Sequence, residues 1–198
     1  MPVERLPIEP LAQTRAKIYD AFAEFFTGKS AEHLVGDWPE IVRFLHGMEM
    51  LAERPSTALH EKLPAPLDVN RCYAKLFLGV GPHTVPLTAS AYTNEHRMMC
   101  QDDCRALNEL YQAFGFVPAP EWASFADSVA VELAFMALMA RAQAAPKMQR
   151  EFLAGRLIPL AASVSHEVGS LDGGPLEDVL RALLGLLEAD KALLAQAV

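Results

Sequence analysis

Apolar side chains recur three and four residues apart along nearly the whole chain, the spacing that gathers them on one stripe of an α-helix. "RAKIYDAFAEFFTG" puts Ile18, Phe22, Phe25 and Phe26 on such a stripe and stops at Gly28, a residue suited to ending a helix. "DWPEIVRFLHGMEMLAE" is expected to open at Asp37, three residues before Glu40, with Pro39 in the first turn where a missing N–H does no harm. "DVNRCYAKLFLG" carries Val69, Cys72, Tyr73, Leu76 and Phe77 on one side and ends at Gly79. "DDCRALNELYQAFG" repeats the scheme with Leu107, Leu110, Tyr111, Phe114 and Gly115, and its leading acids Asp102 and Asp103 suit the positive end of a helix dipole.

"SFADSVAVELAFMALMAR", residues 124–141, is apolar on almost every side, which predicts a buried helix. "PKMQREFLAGRLIPLAASVSHEVG" follows, with Pro159 expected to kink or split it. "GGPLEDVLRALLGLLEADKALLAQAV" starts a last helix at Pro175, amphipathic through Leu176, Val179, Leu180, Leu183 and Leu187. No alternating β-branched run, internal repeat or low-complexity tract interrupts the series. One segment does: "GVGPHTVPLTASAYTN", residues 79–94, is too rich in glycine and proline for regular helix, and loops of that length are often functional. The pattern predicts an all-α fold, a single-domain helical bundle over residues 1–198 with a long Gly/Pro-rich central loop.

Composition narrows the function classes. A chain of 198 residues with 52% hydrophobic content is long enough for one well-cored domain. Its longest uncharged apolar runs are far short of the roughly 18 residues that cross a bilayer, and the acids and prolines of "MPVERLPIEPLAQTR" do not make a secretory signal. A cytoplasmic protein without stable membrane insertion is therefore expected. Cys72, Cys100 and Cys104 are an odd set, read as reduced thiols. The formal charge of −8 argues against nucleic acid and would favour a cationic partner such as a basic peptide.

Two acids interrupt the apolar 124–141 stretch. Ser124, three residues ahead of Asp127, reads as a capping-box variant that makes Asp127 a backbone partner at the helix start. A start at Pro120 or Glu121 would instead leave Asp127 one or two turns inside. Glu132 shares its side of the helix with Ser128, Phe135, Met136 and Met139. An acid there is either half-exposed at the bundle edge or paired with a base, and the base is an internal arginine or one brought by a partner. In "HRMMCQDDC", His96, Cys100 and Cys104 fall at four-residue steps and offer three soft ligands on one helix side, with His83 as a fourth. The plainer account is that such cysteines pack as small hydrophobes. His33, His46, His60 and His166 are scattered, and no nucleophile elbow, phosphate-binding glycine loop or zinc-protease motif occurs. The residues give little support for an enzyme.

Taken together, "YAKLFLG", the loop ending "VPLTASAY", "LYQAFGF" and "SFADSVAVELAFMALM" resemble the TorD-type redox-enzyme maturation chaperones, the TorD, DmsD and NarJ group, over roughly residues 15–160. The resemblance implies an all-helical cytoplasmic protein that binds the N-terminal, often twin-arginine, leader of a molybdenum-cofactor oxidoreductase and assists cofactor loading. The group's E-P-x-D-H element matches Ser124, Phe125, Ala126, Asp127 and Ser128, of which the aspartate is retained. Tyr73, Leu76 and Phe77 match a Y-x-x-L-F element, and Ser90 and Tyr92 match the end of the proline-rich loop. The site implied is a groove bordered by the 79–94 loop and the start of the long helix. There Phe125, Trp122 and Tyr92 offer apolar surface, and Asp127, Glu132 and Glu121 meet the leader's arginines, beside Ser90 and Ser124. The expectation is a non-enzymatic chaperone with no cofactor of its own, its partner a molybdoenzyme catalytic subunit or leader. A homodimer formed by exchange of elements is compatible with the sequence. The alternative is a helical metal- or redox-cofactor-binding protein using His96, Cys100 and Cys104, and a third reading is a helical interaction module with an unrelated partner.

Overall fold

The computed structural model describes residues 11–93, 102–122 and 124–197. The helices are α1 (Ala12–Phe26), α2 (Glu32–Leu51), α3 (Pro66–Phe77), α4 (Ser90–Thr93), α5 (Asp102–Ala113), α6 (Val129–Arg141), α7 (Pro146–Phe152), α8 (Ile158–Ser170) and α9 (Pro175–Gln196). No strand occurs among the described residues, so the all-α expectation holds. Among them, too, no helix is long and apolar enough to cross a membrane.

Helix α6 is buried almost all round, as its composition requires, and α1 lies along it. Phe135 on α6 is ringed by Tyr111, Phe114, Phe116 and Phe152, with centroid separations of 4.7 to 5.5 Å. On the far side of α1, Phe25 meets Tyr73 edge-on at 5.3 Å and Phe26 meets Phe77 at 6.2 Å. Burying each such ring contributes about 1.5–3 kcal/mol relative to leaving it in water. Gly28, Gly79 and Gly115 end α1, α3 and α5 as expected, each with positive φ. The positive φ of Gly28 favours glycine, and a Cβ there would also come within 3.1 Å of the Tyr73 ring, which would have to give way.

Helix α9 packs against α2, α7 and α8. Arg15 of α1 and Asp190 of α9 are both buried and form an ion pair, Nε to Oδ1 at 2.7 Å and Nη2 to Oδ2 at 2.7 Å. Tyr19 donates its phenol to the same carboxylate at 2.6 Å, and Gln149 of α7 accepts a further guanidinium hydrogen at 2.7 Å. Burial is the strongest single influence and opposes charge on Arg15, but the Asp190 carboxylate and the Tyr19 phenol together outweigh it and raise the guanidinium pKa. Burial, and then the Asp190 charge, push the Tyr19 phenol well up, so it stays a donor.

Residues 53–65 form an irregular strap between α2 and α3. Buried Glu49 accepts from the Thr57 N–H with both oxygens at 3.0 Å and also binds the Thr57 hydroxyl. Asp178 binds His60 and Arg181, and the Trp38 indole donates to the His60 carbonyl at 3.0 Å.

Two helix starts differ from expectation. α2 begins at Glu32, not Asp37, so Pro39 lies inside it. Asn70 Oδ1 accepts the Ala31 N–H at 2.9 Å and Ser30 Oγ accepts the Glu32 N–H at 3.1 Å, so two leading donors are satisfied by side chains outside the helix. α6 begins at Val129 and is capped by Ser128, whose Oγ accepts from the Val131 N–H at 3.3 Å. The expected pairing of Ser124 with Asp127 as a capping box is therefore wrong, and at residues 120–122 there is a 3-10 turn instead of a long-helix start. Pro159 acts as expected by interrupting the helix. The chain passes from α7 to α8 through a π-helical turn, Leu153–Leu157, in which the Ile158 N–H donates five residues back to Leu153. Proline at 159 removes the donor that the Gly155 carbonyl would otherwise use, and the wider turn sits directly before it.

Candidate functional site

The central loop and the start of α6 are joined by backbone pairing. Thr88 and Ser128 form an isolated antiparallel bridge; Val129 N–H donates to the Leu87 carbonyl at 2.8 Å, and Ala89 N–H to the Asp127 carbonyl at 3.0 Å. That pairing holds Ser128 extended as it caps the helix.

Asp127 lies at the centre of this junction and is 0% exposed. Its Oδ2 accepts the Ser90 N–H at 2.7 Å, and the buried Cys104 thiol donates toward Oδ1 at 3.4 Å. Asp127 thus ties three segments together: the end of the loop, α5 and the approach to α6. The Tyr111 phenol beside it donates to the Ala126 carbonyl at 2.8 Å. Its pKa is pushed far up by burial, then by the negative charge of Glu132, so it remains a donor.

Glu132 is also 0% exposed. Its Oε1 accepts from Arg156 Nη2 at 3.0 Å and Nε at 3.2 Å. Arg156 comes from the π-helical turn, and its side chain is 23% exposed. Of the two partners the sequence allowed for Glu132, the structure supplies the internal arginine. Neither acid is presented at the surface, because both carboxylates are held by protein donors in places water does not reach. The expectation had Asp127 and Glu132 meeting a leader's arginines; in the structure the donors on these carboxylates are the Ser90 N–H, the Cys104 thiol and Arg156.

The other expected residues divide. Ser90 is buried, whereas Tyr92 is half-buried and donates its hydroxyl to the Pro86 carbonyl at 2.9 Å. Tyr92 and Ala89 border a cleft of about 260 Å³ whose opposite wall is Gly155, Arg156, Pro159, Leu160 and Ser163. Glu121 and Ser124 are exposed, and Trp122 and Phe125 are half-buried and meet edge-on at 6.3 Å. Trp122 lines a second groove of about 300 Å³ between α1, residues 116–119 and α6. Ala23, Ala130 and Ala134 floor it with small side chains, Val117 stands exposed at its edge, and Glu24 and Lys29 lie at the rim. The structure therefore separates Tyr92 and Trp122 into different depressions, where one groove was expected.

Sequence reasoning missed Arg156 and the α1–α6 groove. Pro159, three residues after Arg156, was the available signal for the π-helical turn. The alanines of the groove floor look like ordinary helix residues. Of the candidate metal ligands, His96 and Cys100 lie outside the described residues, His83 is exposed in the loop, and Cys104 packs beside Asp127. Among the described residues no three His, Cys, Asp or Glu side chains come together as a metal site.

No curated protein and no solved structure matches the chain. A family model described as nitrate reductase delta subunit matches residues 29–163, more than half of its 198 residues, and covers both the central loop and the α6 junction. That match agrees with the TorD, DmsD and NarJ resemblance carried by "YAKLFLG" and the 124–141 stretch. The chain belongs to the nitrate reductase delta subunit family, a family of redox-enzyme maturation chaperones that act with a molybdoenzyme catalytic subunit.

Proposed function

We propose that this protein is a dedicated cytoplasmic chaperone that binds the N-terminal leader of a molybdenum-cofactor oxidoreductase catalytic subunit and holds it until cofactor insertion is complete. The observation that carries the reading is the groove beside Trp122. Small alanines on its floor leave room for large apolar side chains, and Trp122 supplies an aromatic wall. Glu24 at its rim and Glu121 at the surface next to Trp122 are exposed carboxylates that would draw in the basic flank of a leader. A twin-arginine leader combines that flank with an apolar segment, and an amphipathic segment laid in a helical groove is a common recognition mode. Binding and release need no bond to be made or broken in the client. Phe125 supports the indole of Trp122 from its edge, and Asp127 fixes the loop that lies against the start of α6.

The test uses the two tryptophans. Trp38 is fully buried and Trp122 half-buried, so a peptide in the groove should shift the emission of Trp122 alone. Titration with the leader peptide of the client should give a blue shift that Trp122→Phe abolishes, and Ala130→Leu, which fills the groove, should weaken binding about tenfold or more. Leader binding that is unaltered by Ala130→Leu would remove the groove from the site. No binding of any molybdoenzyme leader would remove the function.

A further inference from the structure

We propose that the outward face of α3 is a membrane-surface contact: it rests against anionic phospholipid headgroups without inserting a helix. The inference stands apart from leader binding and uses no residue of the Trp122 groove.

α3 carries two apolar stripes where a helix at the edge of a bundle needs one. The inner stripe, Val69, Tyr73, Leu76 and Phe77, is buried in the core and accounts for the helix. The outer stripe is Leu67, Ala74 and Leu78, which fall within about 40° of one another on a helix of 3.6 residues per turn. Leu67 is 58% exposed and Leu78 61%, and Val80, in the turn that follows, is 76% exposed. That turn folds back on the helix end, with the Val80 N–H donating to the Ala74 carbonyl at 3.3 Å and the Gly81 N–H to the Lys75 carbonyl at 3.1 Å. A Cβ at Gly81 would stand 2.6 Å from the Lys75 carbonyl oxygen, so the fit is close and Val80 stays beside Leu78. Three of the six large apolar side chains that are exposed among the described residues are thus gathered at one element. Scattered singly they would need no explanation; together they mark a contact surface.

The charge is equally uneven. From Pro66 to Thr93 the chain has one acid, Asp68, out of 25 in all, against Arg71 and Lys75. Both cations are exposed, and their positions on the helix put Arg71 between Leu67 and Ala74 and Lys75 to one side. Arg71 Nη1 reaches Asp68 Oδ1 at 3.3 Å, but both side chains are more than half exposed, and so weak a pair leaves the guanidinium available. Exposed leucines flanked by cations match a surface with anionic headgroups over an apolar interior.

A second copy of the chain fits less well. A two-fold axis through the stripe would set Leu67 against Leu78 and crowd the Arg71 and Lys75 side chains of both copies together. The face is the convex side of a single helix, which suits a plane better than it suits a peptide. With a formal charge of −8 overall, the rest of the chain is repelled by an anionic surface, so the molecule approaches with α3 foremost.

The experiment is flotation of the full chain with vesicles of phosphatidylcholine alone and of an equal mixture with phosphatidylglycerol. The variants are Leu67→Ser/Leu78→Ser, Arg71→Gln/Lys75→Gln and, as a control elsewhere on the surface, Met148→Ser, each checked for helical content. The unaltered chain should float with the mixed vesicles and not with the neutral ones, and added salt should release it. Each α3 double variant should weaken that binding about tenfold or more, and Met148→Ser should leave it unchanged. Where the leucine variant does not fold, Arg71→Gln/Lys75→Gln, which alters exposed polar groups alone, carries the test. Flotation with neither lipid, equal flotation with both, or flotation unaltered in the α3 variants overturns the proposal. A dimer in sedimentation equilibrium that Leu67→Ser/Leu78→Ser abolishes, without vesicle binding, assigns the face to a second copy and overturns it too. Leader titration of the same variants should match the unaltered chain, so loss of the membrane contact leaves the chaperone reading standing.

Discussion

Removing the Asp190 carboxylate should be the most damaging single change outside the site. Asp190→Ala deletes the partner of a guanidinium that is 1% exposed, together with the acceptor for the Tyr19 phenol. Arg15 then keeps the side-chain oxygen of Gln149, which is itself fixed because Gln149 Nε2 donates to the Ala144 carbonyl at 2.6 Å. One neutral acceptor does not replace a carboxylate that meets two nitrogens of the guanidinium and accepts the Tyr19 phenol. Breaking a buried pair from one side costs about 3–5 kcal/mol, a large part of a typical stability of about 5–15 kcal/mol. For a chain of this size each kcal/mol moves the melting temperature by about 2–4 °C, so Tm should fall by roughly 6 to 20 °C. The assay is urea unfolding followed by far-UV circular dichroism and by tryptophan emission, with a melt for comparison. A control separates charge from packing: Arg15→Met/Tyr19→Phe/Asp190→Leu replaces the ion pair and the phenol with apolar groups and should recover most of the loss. A loss below about 1 kcal/mol for Asp190→Ala, the size of an exposed surface pair, would refute the claim that this cluster is held out of water.

Two further outcomes follow from the packing and the phenols. Gly185→Ala should destabilise although alanine is the better helix former by about 1 kcal/mol, because the added Cβ would meet Thr57 Oγ1 at 2.6 Å and Leu45 Cδ2 at 3.2 Å. Overpacking of that kind costs about 1–3 kcal/mol, and a raised Tm for Gly185→Ala would show that the strap yields freely. The phenols of Tyr19, Tyr73 and Tyr111 are all raised, chiefly by burial, so the folded state holds protons that the unfolded state gives up. Their contribution is complete below the unfolded phenol pKa of about 10 and is lost above it, so stability should fall steeply from about pH 10 upward. Tyr19→Phe should make that fall shallower; an unchanged alkaline slope in Tyr19→Phe would count against the assignment.

Where the sequence was legible, local rules sufficed. Gly28, Gly79 and Gly115 each follow the last residue of an apolar stripe, and the observed helices stop there with positive φ. The start of α9 at Pro175 after two glycines was equally readable. The start of α2 was not, because Asp37, Pro39 and Glu40 imitate an N-terminus while the donors ahead of it are satisfied in part by Asn70, far along the chain. The start of α6 failed for a related reason. Ser124 and Ser128 are equal candidates locally, and the choice is made by residues 87–89 pairing with 127–129. Both acids of the 124–141 stretch were correctly marked as needing an explanation. Their partners were hidden because Ser90 and Arg156 are 37 and 24 residues away. The separation between Tyr92 and Trp122 could not be read at all, since it depends on which sides of α6 the loop and α1 occupy.

The pairing of Arg15 with Asp190 has a consequence for synthesis. These residues are 175 positions apart, so a ribosome making this chain exposes Arg15 long before its counter-ion exists. Until α9 emerges, the first helix must keep that guanidinium in water and leave part of its apolar face open. Completion of the bundle therefore waits on a long-range closure between α1 and α9, and a chain cut short before residue 190 should itself need the care of a general chaperone.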